Sequence, residues 1–262
     1  MKDVVDTYLA LVDAEAEGLV QGLYLEGSIA LGDYRPGVSD IDYVAVTESP
    51  PDPATIETLR RVHDRLRGRH RRPYFDGVYL TWHDLEAGPG TAIGRPGSHE
   101  GRFGVRADST SGPVTWHTLA GHGVVCRGPA IAELDIWTDP GELATWQKAN
   151  LDEYWGRLLA RAARLPSKTG LFALTDYAVV WTVTGVSRLH HTLATGEITS
   201  KDGAGRHALE AFPARWQRIV RESLRIRRGE PGPSLYRDRF TRRRDLLAFA
   251  GMAIAAAHRL PR

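Results

Sequence analysis

Cysteine occurs once in the 262 residues, at Cys126, so no disulfide can close within the chain, and a fold of this length has to rest on a packed core. Lysine is nearly as scarce. It stands only at Lys2, Lys148, Lys168 and Lys201, almost all positive charge being arginine, a bias that says little about function but makes each lysine conspicuous. There is no excess of either sign: a net charge of +2 excludes a global field for nucleic acid or membrane, so any polyanion site has to be local. No long apolar run is present either. The longest, Leu246 to Ala257, is too short to cross a bilayer as a helix. The opening MKDVVDTYLALVDAEAEG lacks the basic and then apolar blocks of a signal peptide, so a cytoplasmic protein without a membrane span is expected.

What is present divides into two textures. Val4, Val5, Tyr8, Leu9, Leu11 and Val12 recur at helical spacing, giving an opening helix that stops near Gly18. Leu23 to Glu26, Ile41 to Thr47 and Tyr74 to Trp82 are rich in branched and aromatic residues and read as strands. Ile56, Leu59, Val62 and Leu66 trace one face of a helix between the second and third. The stretch from Gly88 to Gly112 is so rich in Gly, Ser and Pro that it predicts an extended loop, with order returning at Val114 to Leu119 and Gly123 to Cys126. From Asp139 the pattern turns to long helices: Pro140 to Leu165, Leu171 to Thr195, Lys201 to Phe212, Arg215 to Arg228 and Asp238 to Leu260. The expected architecture is an α+β domain over 1–138, a small mixed sheet with helices, followed by an all-α bundle over 139–262.

The chemistry gathers at Gly27-Ser28, closing one strand, and Ser39-Asp40-Ile41-Asp42, opening the next. A period of two puts Asp40 and Asp42 on one face while Ile41 points into the core. Two carboxylates side by side repel each other, and a divalent cation removes the conflict; Mg²⁺ takes one or two carboxylates together with triphosphate oxygens and water. Gly27 permits close backbone approach, and Ser28 offers a hydroxyl and an amide to an anion at a strand-to-helix turn. A triphosphate held there would present its α-phosphorus to in-line attack, which is nucleotidyl transfer.

With these residues, LYLEGSIALGDYRPGVSDIDYVAV resembles the nucleotidyltransferase superfamily, marked by a Gly-Ser followed at a distance by Asp-x-Asp on a strand. Further along, VTGVSRLHHTLATGEITSKDGAGRHALEAFP, from Val183 to Pro213, is similar to the helical C-terminal domain of the aminoglycoside adenylyltransferases that act on streptomycin and spectinomycin, with a weaker similarity at HGVVCRGP. The resemblance implies a two-domain enzyme that holds ATP and two Mg²⁺ ions in the cleft between its domains and adenylylates a small hydroxylated acceptor. It assigns Gly27, Ser28, Ser39, Asp40 and Asp42 to the triphosphate and metal. Arg188, Lys201 and Tyr236 become further nucleotide contacts. A third carboxylate on the next strand, general base and metal ligand, falls on Asp76, although an unspaced alignment through His83-Asp84 would place Gly77 there instead. Where the family has an acidic acceptor contact this chain has Ala178; Asp176 is the nearest carboxylate, about 160° away around the helix. Trp116 and Trp181 are candidates for the walls of an acceptor pocket.

Each motif has a plainer reading. An isolated Asp-x-Asp is usually a solvated strand end, Lys201 an ordinary helix-start lysine, and Arg188 one half of an ion pair. The arginines at Arg67, Arg69, Arg71 and Arg72, and those from Arg242 to Arg244, read as solvated helix ends, so no nucleic-acid partner is expected. The histidines lack zinc-site spacing, and GSIAL lacks the elbow of a serine hydrolase. Competing functions are transfer to a protein or RNA acceptor, or a nucleotide-binding regulator of the same fold. A monomer or dimer fits either case.

Overall fold

A computed structural model describes residues 1–105 and 112–260. The chain divides into two compact units, Met1–Asp139 and Pro140–Arg262.

The first unit opens with helix α1 (Lys2–Glu15), strand β1 (Gly22–Leu25) and the single turn α2 (Gly27–Ala30). Strand β2 (Ile41–Thr47), helix α3 (Pro53–Arg69) and strand β3 (Phe75–Thr81) follow, then α4 (Trp82–Ala87), β4 (Pro96–His99), β5 (Arg102–Val105), α5 (Pro113–His122) and β6 (Val124–Arg127). The six strands form one mixed sheet in the order β5-β4-β3-β2-β1-β6. Only β2 and β3 run parallel, because α3 carries the chain back across between them. Asp52 starts α3 by accepting the Thr55 amide at 2.7 Å, with Pro53 preset for the first turn.

Both faces of the sheet are covered, and alternation along each strand decides what goes where. Leu23, Leu25, Ile41, Tyr43, Ala45, Phe75 and Tyr79 pack under α1 and α3. Tyr24, Val44, Val46, Val78 and Leu80 pack on the other side with Leu85, Trp116 and Leu119 from α4 and α5. The central strands β2 and β3 are therefore buried on both sides and read as nearly unbroken apolar runs.

The expected loop from Gly88 to Gly112 is corrected in part: it contains the hairpin β4–β5, while residues 106–111 lie outside the described residues. Gly97 explains why a strand was disguised there, since a Cβ at that position would overlap the Gly77 carbonyl. Only glycine lets β4 approach β3.

The second unit is helical: α6 (Pro140–Asn150), a π turn (Leu151–Gly156), α7 (Arg157–Ala162), α8 (Lys168–Phe172), α9 (Asp176–Thr195), α10 (Lys201–Ala211), α11 (Gln217–Arg228) and α12 (Arg239–His258). The single helix expected from Leu171 to Thr195 is broken, because Thr175 turns out of α8 and caps α9 through the Ala178 amide at 3.1 Å. Its core joins Leu151, Trp155, Val179, Val183, Val186, Val220, Leu224, Leu246 and Phe249. Among the described residues no helix is long and apolar enough to cross a membrane.

Candidate active site

The site is built around the bend where β1 ends. Gly27 adopts φ +57°, and a Cβ there would overlap the Asp42 carboxylate, so this bend and that side chain share space that only glycine leaves open. The Glu26 amide donates to the Asp42 carbonyl at 2.9 Å, continuing the β1–β2 pairing one residue beyond the strand. On the other side of β2, Asp42 is the direct register partner of Asp76. Adjacent residues in register point to the same face, so Glu26, Asp42 and Asp76 form a row of carboxyls across three neighbouring strands.

The electrostatics follow from this crowding. Burial raises the Glu26 carboxyl, the Asp42 charge raises it further, and a 3.4 Å hydrogen bond from the Thr115 hydroxyl only partly opposes them, leaving it at about 8. Asp76 is also raised, first by burial and less by the charge of Asp40; the Glu100 amide (2.8 Å), the Gly101 amide (3.4 Å) and His99 (3.6 Å) pull the other way. Asp40 stands just ahead of β2, where it accepts the Tyr74 amide at 3.3 Å and Arg72 Nη1 at 3.4 Å. Ser39 takes the Arg35 amide at 3.1 Å, closing the loop that delivers Asp40.

Ser28 lies beside this row with its hydroxyl oxygen buried and without a hydrogen-bond partner among the described residues. A buried hydroxyl left unpaired costs about 1–3 kcal/mol, so the position suits a ligand oxygen. Among the described residues, no group of three acidic, histidine or cysteine side chains is drawn together tightly enough to hold a metal unaided. The three carboxylates expected to share a metal, Asp40, Asp42 and Asp76, are thus not drawn into one such group.

Gly77 cannot supply the third carboxylate: its Cβ would overlap the Tyr43 carbonyl, so no side chain fits there. Asp84, the other nearby acid, is fully buried, caps α4 and is bound by Arg95 through both oxygens at 2.8 and 2.9 Å. It is scaffold. Asp76 alone on β3 faces the row.

In the helical unit, half-buried Arg188 lies on α9 and Lys201 begins α10, directly after the Ser200 cap. The expectation of Trp116 as a pocket wall is corrected, and Tyr236 lies deeper than a surface contact. Trp116 is fully buried, its indole N–H donating to the Asp84 carbonyl at 3.0 Å, so it packs the core and walls no pocket. Tyr236 is buried as well; its hydroxyl donates to Asp245 at 3.0 Å and Arg218 covers its ring at 3.9 Å, which places it in the helical core. Asp176 is exposed at the start of α9 and pairs with Arg242 at 2.7 Å. Trp181 is half-buried between Trp155 at 4.9 Å and exposed Tyr177 at 6.4 Å.

Glu26 was the residue missed. Its signal was available in LYLEGS, where alternation sends Leu23 and Leu25 to one face and Tyr24 and Glu26 to the other. Finding the row also needed the cross-strand register.

Comparison with known proteins agrees with this architecture. Residues 11–79 match the model of the nucleotidyltransferase domain, and residues 165–251 match that of the aminoglycoside adenylyltransferase C-terminal domain. The fold resembles the crystal structure of spectinomycin adenyltransferase AAD(9) from Enterococcus faecialis with ATP and spectinomycin, with a TM-score of 0.72 over 99% of this chain and 100% of that one. At 12% identity this likeness concerns the fold alone. None of the curated proteins compared matches the chain in sequence.

Proposed function

We propose, from the premise that this chain is a nucleotidyltransferase resembling the aminoglycoside adenylyltransferases, that it transfers AMP from ATP to a hydroxyl of a small aminoglycoside-type acceptor in the cytoplasm. The observation that carries this reading is the carboxyl row beside the Gly27 bend, with the unpartnered Ser28 hydroxyl next to it.

Asp42 and Asp40 would hold Mg²⁺, Asp76 would join them as a shared ligand on loading, and two ions are expected. When bound, Mg²⁺ supplies positive charge to the triphosphate and to the departing pyrophosphate. Ser28 donates its hydroxyl to a phosphate oxygen, and the Gly27 bend keeps the backbone clear of the chain of phosphates. Arg188 and Lys201 are further contacts for the nucleotide. Asp76 takes the proton of the acceptor hydroxyl as its oxygen bonds to the α-phosphorus and the bond from that phosphorus to pyrophosphate breaks. The raised affinity of Asp76 for a proton suits it to this role, and the Glu100 and Gly101 amides fix its orientation. Asp176, Trp181 and Tyr177 offer a carboxylate and aromatic faces to a sugar-like acceptor.

A regulator of the same fold would bind Mg²⁺ and ATP without turnover. The register of Asp76 with Asp42 favours the enzyme, since a sensor has no use for a base beside its metal ligands. The test is incubation with ATP, Mg²⁺ and a panel of aminoglycosides and other polyols, followed by acceptor mass and pyrophosphate release. A gain of one AMP that disappears in Asp40→Asn is expected. ATP binding with no adduct on any acceptor would favour the regulator.

A further inference from the structure

We propose that Ser98 and Tyr43, on the face of the sheet turned away from the carboxyl row, are positioning residues for Asp76: they seat the β4–β5 hairpin whose turn holds that carboxylate. This rests on the nucleotidyl-transfer reading and names what keeps its base in place.

The Glu100 amide donates to one Asp76 oxygen at 2.8 Å and the Gly101 amide to the other at 3.4 Å. These two residues form the turn between β4 and β5, just beyond the pair of His99 with Arg102. Both have a left-handed backbone, φ +51° at Glu100 and +71° at Gly101, as a two-residue hairpin turn of this kind requires. Among the described residues Glu100 is the only one other than glycine so placed, in a conformation that its Cβ makes costly. The two amides therefore converge on Asp76 only while the hairpin keeps its place.

Backbone pairing gives the hairpin a narrow footing. β4 meets β3 at two register positions, Gly77 with Ser98 and Val78 with Gly97. Side-chain hydrogen bonds supplement this ladder. Ser98, 2% exposed, donates its hydroxyl to the Phe75 carbonyl at 2.7 Å. That uses its only proton, so in the 3.1 Å contact with Tyr43 it accepts and the Tyr43 hydroxyl donates. Phe75 precedes Asp76 and Tyr43 follows Asp42, so one serine clasps β4 to both strands that carry the row. The Tyr43 ring lies where a side chain at Gly77 would be and stacks on Phe75 at 4.2 Å.

Behind this clasp the network continues through the core. The Tyr43 hydroxyl lies 3.3 Å from His63 Nε2, which lies 2.9 Å from the Tyr79 hydroxyl, and Tyr8 ends the series 2.6 Å further on. His63 also stacks on Phe103 of β5 at 4.7 Å, so both strands of the hairpin rest on the network. A buried polar network of this kind, once satisfied, fixes a single arrangement of the segments it joins.

The experiment compares Ser98→Ala and Tyr43→Phe with Tyr8→Phe, a control that removes a hydroxyl from the far end of the same network. In the whole chain without metal, hydrogen exchange at the turn is followed by mass spectrometry of peptides spanning residues 96–105. Exchange about tenfold faster is expected in Ser98→Ala, a smaller gain in Tyr43→Phe, and the wild-type rate in the control. Steady-state kinetics then use ATP, Mg²⁺ and the acceptor that wild type adenylylates. In Ser98→Ala kcat should fall by about one order of magnitude while KM for ATP is unchanged. Tyr8→Phe should lower the melting temperature without lowering kcat. The proposal is overturned if kcat is unchanged in Ser98→Ala, if it falls while exchange at the turn keeps the wild-type rate, or if Tyr8→Phe lowers it as much. Should Ser98→Ala fail to fold, Tyr43→Phe decides by the same comparison. A wild type that adenylylates no acceptor counts instead against nucleotidyl transfer, and the exchange rates still decide whether Ser98 seats the turn.

Discussion

Two glutamates, one in each unit, are held at opposite ends of the carboxyl range. Glu222 on α11 is fully buried, yet its carboxyl sits at about 2: burial pushes it up, but hydrogen bonds from Arg225, Ser234 and the Leu235 amide pull it further down. Arg242, itself 3% exposed, adds an ion pair at 3.3 Å. Glu26 has a neighbouring carboxylate and one long hydrogen bond from Thr115, and burial and that charge hold it at about 8. The stability that Glu222 contributes is therefore present above its ordinary value of 4.5 and lost as pH falls toward 2. For Glu26 the sign is reversed: its contribution is whole below 4.5 and is lost as pH rises through about 8. Acids surrounded by donors brace the helical unit, whereas acids crowded beside acids hold their protons more tightly.

The largest expected effect sharpens this contrast at the carboxyl row. Asp42→Asn should lower AMP transfer by about three orders of magnitude, ~4 kcal/mol of barrier, while the melting temperature in metal-free buffer stays level or rises because the charge that opposes ionisation of Glu26 is removed. A fall in both activity and melting temperature would make Asp42 a structural residue. The converse experiment is Glu222→Ala, which leaves Arg242 buried without this partner and should cost about 3 kcal/mol in urea denaturation at neutral pH. The same variant should show a flatter loss of stability between pH 4.5 and 2, and an unchanged acid limb would contradict the network. Asp76→Asn should lower turnover by about two orders of magnitude with little change in ATP affinity. The smallest effect belongs to Ser28→Ala, for which about a tenfold rise in KM for ATP is expected from steady-state kinetics.

Much of the fold was legible because it follows local rules. The strand Ile41–Thr47 is marked at both ends by its branched and aromatic run, and the helical texture of the second unit is unmistakable from its periodicity. What stayed hidden depended on contacts between segments. The β4–β5 hairpin reads as a loop because glycines, which propensity assigns to turns, are there to let strands come close. The break at Thr175 turned on a single capping hydroxyl inside an otherwise helical pattern. At the site, Asp40, Asp42 and Gly27 could be named from spacing within one stretch, but the alignment of Glu26 with Asp42, and of Asp42 with Asp76, is a property of register. The depth of Trp116 was hidden for a related reason: an aromatic side chain suits a pocket wall and a core equally, and only burial separates the two.

The turn between β4 and β5 makes the proposed base, Asp76, observable. Because the Glu100 and Gly101 backbone amides both donate to Asp76, their proton and nitrogen frequencies are a spectroscopic gauge of that carboxylate, displaced whenever it gains a proton or a cation approaches. A glycine cross-peak usually falls in an uncrowded part of the spectrum, so the moment of proton transfer could be timed from Gly101 without a label on the substrate.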